Sequence, residues 1–255
     1  MPTSPVRSDG GSAARQAGRQ DGRQARWDRH NQERRQQILD AAIAVVEAHE
    51  PGAEVHVQQI AERAGLSRTV VYRHFSDRAD LDRAVQTAIV DDLSGELLPA
   101  VTLDGTIPQI IERIVSTYVS WAVAHPALHR LAEQDSSADG TGPLQQGIER
   151  IAHQVVELIS TAVELLGVEM SQDESDAVDP LVFGLVGAVF SAVRRWMARP
   201  ERTPSAPVLV SLVTDSVWFI LDGHARSLGL SLHRDQPVEE LAGKVGDGAF
   251  HIEVT

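Results

Sequence analysis

The chain has 255 residues, no cysteine and a formal net charge of −13. That length suits one or two domains with a real core, and 42% hydrophobic with 23% charged residues is ordinary globular composition. Zero cysteines exclude a disulfide scaffold, a thiolate zinc site, a Cys nucleophile and a Cys-ligated iron–sulfur cluster. No uninterrupted apolar run approaches eighteen residues and no signal-peptide core opens the chain, so the expectation is a soluble cytoplasmic protein without membrane contact. The acidic sum argues against nucleic acid as a partner, but its distribution does not. Residues 1–83 carry net +1 and the remaining 172 carry −14.

Residues 1–30 are rich in Gly, Ser, Gln and Arg and read as a disordered basic arm. Helical periodicity starts at Glu33, with Ile38, Ala41, Ala42, Val45 and Val46 on one stripe before Pro51-Gly52. Val57–Ala64 is a short helix stopped by Gly65, and Ser67 caps a second one, Arg68–Phe75. Beyond Ser76-Asp77 the stripe Leu81, Ala84, Val85, Ala88 and Ile89 marks another helix. These elements form a domain over 31–95.

The remainder also reads as helices: Ile107–Ala124, Pro126–Glu133, Leu144–Leu166, Glu174–Ala198 and Ser205–Leu228. Gln134–Gly142 reads as a polar loop and 231–255 as a weakly ordered tail. No period-2 strand pattern is convincing. The fold class is all-α, about nine helices, with a larger domain over 96–230.

The stretch Ile60–Phe75 has the spacing of a helix-turn-helix. Gly65 enters a left-handed turn freely. Ile60, Ala61, Leu66 and Val71 make the apolar seam between the two helices. The second helix carries Arg68, Thr69, Tyr72, Arg73 and His74, residue types that reach phosphates and base edges in a major groove. Arg68 and Thr69 are the candidates for base edges, Tyr72 and His74 for phosphates, and Phe75 for core.

This segment resembles the DNA-binding signature of the TetR (tetracycline-repressor) family of bacterial transcription regulators. The matching residues are Ile60-Ala61, Ala64-Gly65, Ser67, Tyr72-Arg73-His74-Phe75, Arg78 and Leu81. The resemblance adds Arg34, Arg35, His56, Val70 and Arg78 to the DNA-binding candidates. Val70 and His56 stand where the family often has Thr, and Arg78 where Lys is common. It further implies a homodimer on a pseudo-palindromic double-stranded operator, a small-molecule effector and, as the usual mode, repression relieved by that effector.

In the larger domain, Tyr118, Trp121, Leu128, Val155, Ile159, Phe183, Val186 and Phe190 are candidates for lining an effector pocket, of hydrophobic character. The two last long helices are apolar over more than one face, as helices buried by a subunit partner are. Their dimer candidates are Gly187, Ser191, Arg194, Leu209, Leu212, Val213, Ser216, Ile220 and Gly223. Arg194 and Arg195, beside Trp196, are alternatively placed to neutralise an acidic group on a greasy effector. His125, His129 and Glu133 have the spacing of metal ligands, but Pro126 starts the helix after His125, and no metal or other cofactor is expected. There is no P-loop, nucleophile elbow, zincin or dinucleotide pattern, so no enzyme is expected. The competing readings are an all-helical small-molecule-binding or scaffold protein with a degenerate helix-turn-helix, and an activator of the same fold.

Overall fold

The computed structural model describes residues 10–134, 142–165, 167–238 and 240, with side chains from residue 27 onward. Among these residues nine α-helices and one 3-10 turn are present and no strand longer than an isolated bridge. The chain divides into two compact units, the second beginning within the fourth α-helix at Gln86 and also taking in His49–Ala53. The domain boundary expected near residue 95 therefore falls about one helix half earlier.

The first unit contains α1 (Gly10–Glu47), α2 (Val57–Arg63), α3 (Arg68–His74) and the start of α4 (Arg78–Leu97). Ile38, Ala42, Ile60, Ala61, Val71, Phe75 and Leu81 are buried and form its core. Residues 1–9 of the expected arm lie outside the described residues. From Gly10 the backbone continues α1 rather than starting a helix at Glu33. Arg, Gln and Ala in that stretch are strong helix formers, set against four glycines, Gly10, Gly11, Gly18 and Gly22, that are not.

The second unit contains the rest of α4, a 3-10 turn Leu98–Ala100, α5 (Ile107–Ala124), α6 (Pro126–Ala132), α7 (Pro143–Leu165), α8 (Gln172–Met197) and α9 (Ala206–Ser227). α5 packs on α9 and α7 on α8. Two capping boxes set helix starts. Thr106 accepts from Gln109 N–H while its own N–H donates to the Gln109 side chain, and Ser171 pairs with Glu174 in the same way. That second box starts α8 two residues before the expected Glu174. The hydroxyl and N–H of Ser171 hold the Glu174 carboxyl below the usual range.

The residues after α9 are not all a loose tail. Val238 N–H donates to Gly105 O at 3.0 Å, Thr106 and Pro237 form an antiparallel bridge, and Arg234 pairs with Asp215 of α9. Residues 230–238 thus strap the start of α5; residues 239 and 241–255 lie outside the described part, as do 135–141 of the expected polar loop. Arg113 fastens the opposite connection, donating to Ala100 O, Thr102 O and Asp104 O at 2.9–3.1 Å.

α8 and α9 are long and apolar enough, by length and composition, to cross a membrane, with mean hydropathy of 1.6 and 1.4 over their best windows. A search for unbroken apolar runs misses them because Gly, Ser and Ala interrupt the run without lowering the mean much. Leu181, Val208, Leu212, Phe219 and Ile220 on these helices are exposed large hydrophobics.

α7 crosses α4 closely at Gly147. A Cβ added there would stand 2.3 Å from Cγ1 of Val90. Arg150, one turn on, donates to Asp91 at 2.7 Å. Gly147→Ala should therefore lower stability by about 1–3 kcal/mol through overpacking, read as a fall in Tm of about 2–4 °C per kcal/mol. An unchanged melting temperature would contradict this crossing.

Candidate nucleic-acid interface and apolar cavity

The reading unit is built around a turn of four residues, Ala64 to Ser67. α2 ends with Leu66 N–H donating to Ala61 O at 2.8 Å and Gly65 N–H to Glu62 O at 3.1 Å. This closure needs a left-handed residue at Gly65, whose φ is +67°. Ser67 is extended, and its hydroxyl accepts from Val70 N–H at 3.4 Å, opening α3. At α2, Gln59 reaches back to accept from His56 N–H at 2.7 Å, which offsets the missing Thr cap.

α3 has only seven residues, and α1 holds both its ends. Gln37 donates to Ala64 O at 2.7 Å, in the turn before α3. Arg35 donates to His74 O at 2.7 Å, and its guanidinium lies 4.1 Å from the centroid of the Phe75 ring. Val71 and Phe75 anchor the inner face with essentially no exposure. Arg68, Thr69, Tyr72 and Arg73 remain exposed, at the spacing that puts them on one face of the helix. These supply guanidinium, hydroxyl and phenol groups to a groove.

The other DNA candidates are placed as follows. Ser67 and His56 are exposed, the latter 3.6 Å from Glu54. Val70 is half-buried. Arg34, half-buried, donates to Gln37 at 3.1 Å. Arg78 donates to both carboxylate oxygens of Asp82 at 2.8 Å, so much of its charge is met within α4. His74 is half-buried; desolvation first, then Arg34, Arg35 and His30, lower its pKa, so it offers a neutral ring at neutral pH.

The second unit holds a cavity of about 330 Å³. Tyr118 of α5, Val155 and Ile159 of α7, and Val186 and Phe190 of α8 line it. Trp121, Leu128 and Phe183 do not. Trp121 is buried and donates to Asp92 at 3.4 Å; Leu128 is buried in α6. Sequence reasoning missed Leu97 and Leu103 before α5, and Leu230, Leu232 and Val238 of the strap, all of which line the cavity. The strap's alternation of Leu230 and Leu232 was the available signal. Neither Arg194 nor Arg195 lines the cavity, and both are exposed.

Beside the cavity runs a buried polar chain. Tyr118 Oη lies 3.0 Å from His129 Nε2, and His129 Nδ1 lies 3.3 Å from Glu133 Oε1. The tyrosine hydroxyl donating to Nε2 suits a neutral ring, while Glu133 Oε1, though close to Nδ1, is buried without a hydrogen-bond partner. Burial raises the Tyr118 pKa, with Glu133 adding to it. Burial likewise raises Glu133, against the opposing pull of Arg130 and Arg194. His125 is not part of this chain; its ring packs on Trp121 at 5.4 Å. Among the described residues no three His, Asp or Glu side chains are grouped to hold a metal ion.

Of the dimer candidates, Ser191, Arg194, Leu212, Ser216, Ile220 and Gly223 are exposed, and Gly187, Leu209 and Val213 half-buried. Gly187 and Gly223 meet nothing within 4 Å of an added Cβ, so neither is needed for packing inside this chain.

A capped, short second helix presenting arginines, a hydroxyl and an aromatic after a four-residue turn is the arrangement of a helix-turn-helix DNA-binding domain. Residues 38–85 match the model of bacterial regulatory proteins of the tetR family. An HTH-type transcriptional regulator of Mycobacterium tuberculosis is 29% identical over 223 residues, covering 85% of this chain and 90% of that one. A tetR-family transcriptional regulator from Streptomyces coelicolor shares the fold with a TM-score of 0.57 and 20% identity, over 85% of this chain and 89% of that one. The fatty acid degradation regulator FadR from Bacillus halodurans aligns with a TM-score of 0.54 and 16% identity, over 71% of this chain and 93% of that one. Residues 38–85 thus match the DNA-binding part of tetR-type regulators, and over most of its length the chain is similar to HTH-type transcriptional regulators.

Burial, with Arg130, Arg194 and Arg202 adding to it, lowers the His129 pKa to about 4. An unfolded histidine, near 6.5, takes up its proton first as pH falls. His129 therefore favours the folded state fully above pH 6.5 and loses up to about 3 kcal/mol of that between 6.5 and 4. Glu133, with its raised pKa, works in the opposite sense. Denaturant unfolding of wild type and His129→Gln across this window isolates the histidine: the wild type should lose more stability, and parallel curves would refute the assignment.

Proposed function

We infer that this protein is a homodimeric, ligand-responsive repressor, acting in the cytoplasm without catalytic activity of its own. It binds a pseudo-palindromic operator through α3 of each subunit and releases it when a small apolar molecule occupies the cavity. The cavity in the second unit carries the ligand part of this reading: about 330 Å³ walled by aliphatic side chains is an energetic liability unless something apolar fills it. The solved relative named for fatty acid degradation lends the apolar effector further support.

The exposed apolar residues of α8 and α9 support subunit pairing. Leu181, Leu212, Phe219 and Ile220 are each about half exposed or more. Exposed apolar side chains of that size and number are costly in water and suit a second copy of the chain. We read these helices as a subunit seam rather than a membrane span, because α8 opens with Asp173, Glu174, Asp176 and Asp179 and both helices line the same cavity. Arg68 and Thr69 are the base-reading residues of this proposal, with Tyr72 and His74 closer to phosphates. Arg35 acts from behind as a positioning residue.

Arg68→Ala and Thr69→Ala should each cost about 1–3 kcal/mol at a contacted base pair and relax sequence preference there. Titration of the purified variants on wild-type and point-changed operator duplexes reads this directly. Equal affinity and equal preference for both variants would remove these residues from the base-reading face.

A further inference from the structure

The walls of the cavity carry a chemical preference. Among the described residues lining it there is no Lys, Arg, Asp or Glu. The polar side chains in the lining are those of Tyr118 and His224, and His224 belongs to an exposed stretch of α9. The Tyr118 hydroxyl is engaged with His129 Nε2 at 3.0 Å, and the His129 ring is backed by Glu133. Its ring packs on Phe190 with centroids 4.4 Å apart, so the two aromatics of the lining face each other. Of the cations in the neighbourhood, Arg130 pairs with Glu133 at 3.5 Å, and Arg194, exposed and outside the lining, lowers the pKa of both Tyr118 and Glu133.

We propose that the cavity selects an uncharged aliphatic ligand, such as an alkyl ester, alcohol or hydrocarbon chain, and rejects the corresponding carboxylate. This rests on the effector reading above and gives it a ligand class. A carboxylate brought into such walls finds no Lys or Arg among the described lining residues, and the deep donor, the Tyr118 hydroxyl, is already engaged. It must take up a proton to enter, and that cost appears as lost affinity at neutral pH. An uncharged chain has no such cost and gains from each methylene removed from water. The Tyr118–His129–Glu133 chain serves this selection by turning the one deep hydroxyl of the lining away from the ligand. Tyr118 is here a wall residue, not a head-group anchor.

The test is equilibrium dialysis of the full-length protein against two matched series, straight-chain methyl esters and fatty acids of eight to sixteen carbons, with operator affinity measured in parallel. Ester affinity should rise about fourfold per methylene until the cavity is full. The acids should bind about a thousandfold more weakly at pH 7.5, with the gap narrowing about tenfold per pH unit on acidification, because only the neutral form enters. Tyr118→Phe, with folding checked by its melting curve, should leave ester affinity within twofold. Acids binding as tightly as esters would overturn the charge selection while leaving the effector reading intact. A tenfold loss of ester affinity in Tyr118→Phe would make the hydroxyl a ligand contact and overturn the wall role. Binding of neither series would overturn both readings. Ester binding that leaves operator affinity unchanged would uphold the ligand class and remove its regulatory role.

Discussion

A seven-residue helix is too short to hold itself in water, and the whole DNA-reading function depends on holding one still. In this protein the hold comes from outside α3. Gly65 allows the left-handed turn, Ser67 satisfies the first orphan N–H, and Gln37 and Arg35 of α1 grip the carbonyls of Ala64 and His74. Phe75 closes the arrangement from below, buried in the core and covered by the Arg35 guanidinium. With both ends and the inner face secured, the outer face is free to carry Arg68, Thr69, Tyr72 and Arg73 as exposed side chains. Rigidity of the backbone and freedom of the donors are two sides of one arrangement.

The second unit solves a different problem. It must keep a hollow among aliphatic helices, although close packing is the default for such surfaces. Connections do part of this work. Arg113 ties down the segment after α4, and the strap over 230–238 is bound to Gly105 and Asp215. Gly147 lets α7 press on α4 while Arg150 ties the same crossing with charge. Next to the hollow the Tyr118 hydroxyl is engaged with His129, which keeps the cavity surface apolar, while Glu133 Oε1 behind them stays buried without a hydrogen-bond partner.

The helix-turn-helix was legible because its constraints are local: Gly65, Ser67 and the Ala61–Val71 seam act within a dozen residues. Helix positions were legible for the same reason, and the overlooked boxes Thr106–Gln109 and Ser171–Glu174 were equally local signals. What escaped depends on how helices rotate in the packed domain. Tyr118 and Trp121 are three residues apart and look alike in periodicity, yet one lines the cavity and the other turns to Asp92. A rotation of roughly one residue on the helical wheel decides this, and periodicity does not resolve it. Arg35 was expected to contact DNA; its carbonyl partner lies 39 residues away, where no local pattern reaches. The strap was missed because its anchors, Gly105 and Asp215, are equally distant in sequence.

The net charge of −13 belongs almost wholly to the second unit and its flanks, so it describes the part of the molecule that carries the cavity rather than the reading face. The central claim is that α1 positions α3. The salt dependence of operator affinity in Arg35→Met tests it most directly. A positioning residue makes no phosphate contact, so the slope of log affinity against log salt should stay as in wild type, while the ratio of specific to non-specific affinity falls. A slope shallower by about 0.9 with an unchanged ratio would show that Arg35 neutralises a phosphate, and would contradict the account.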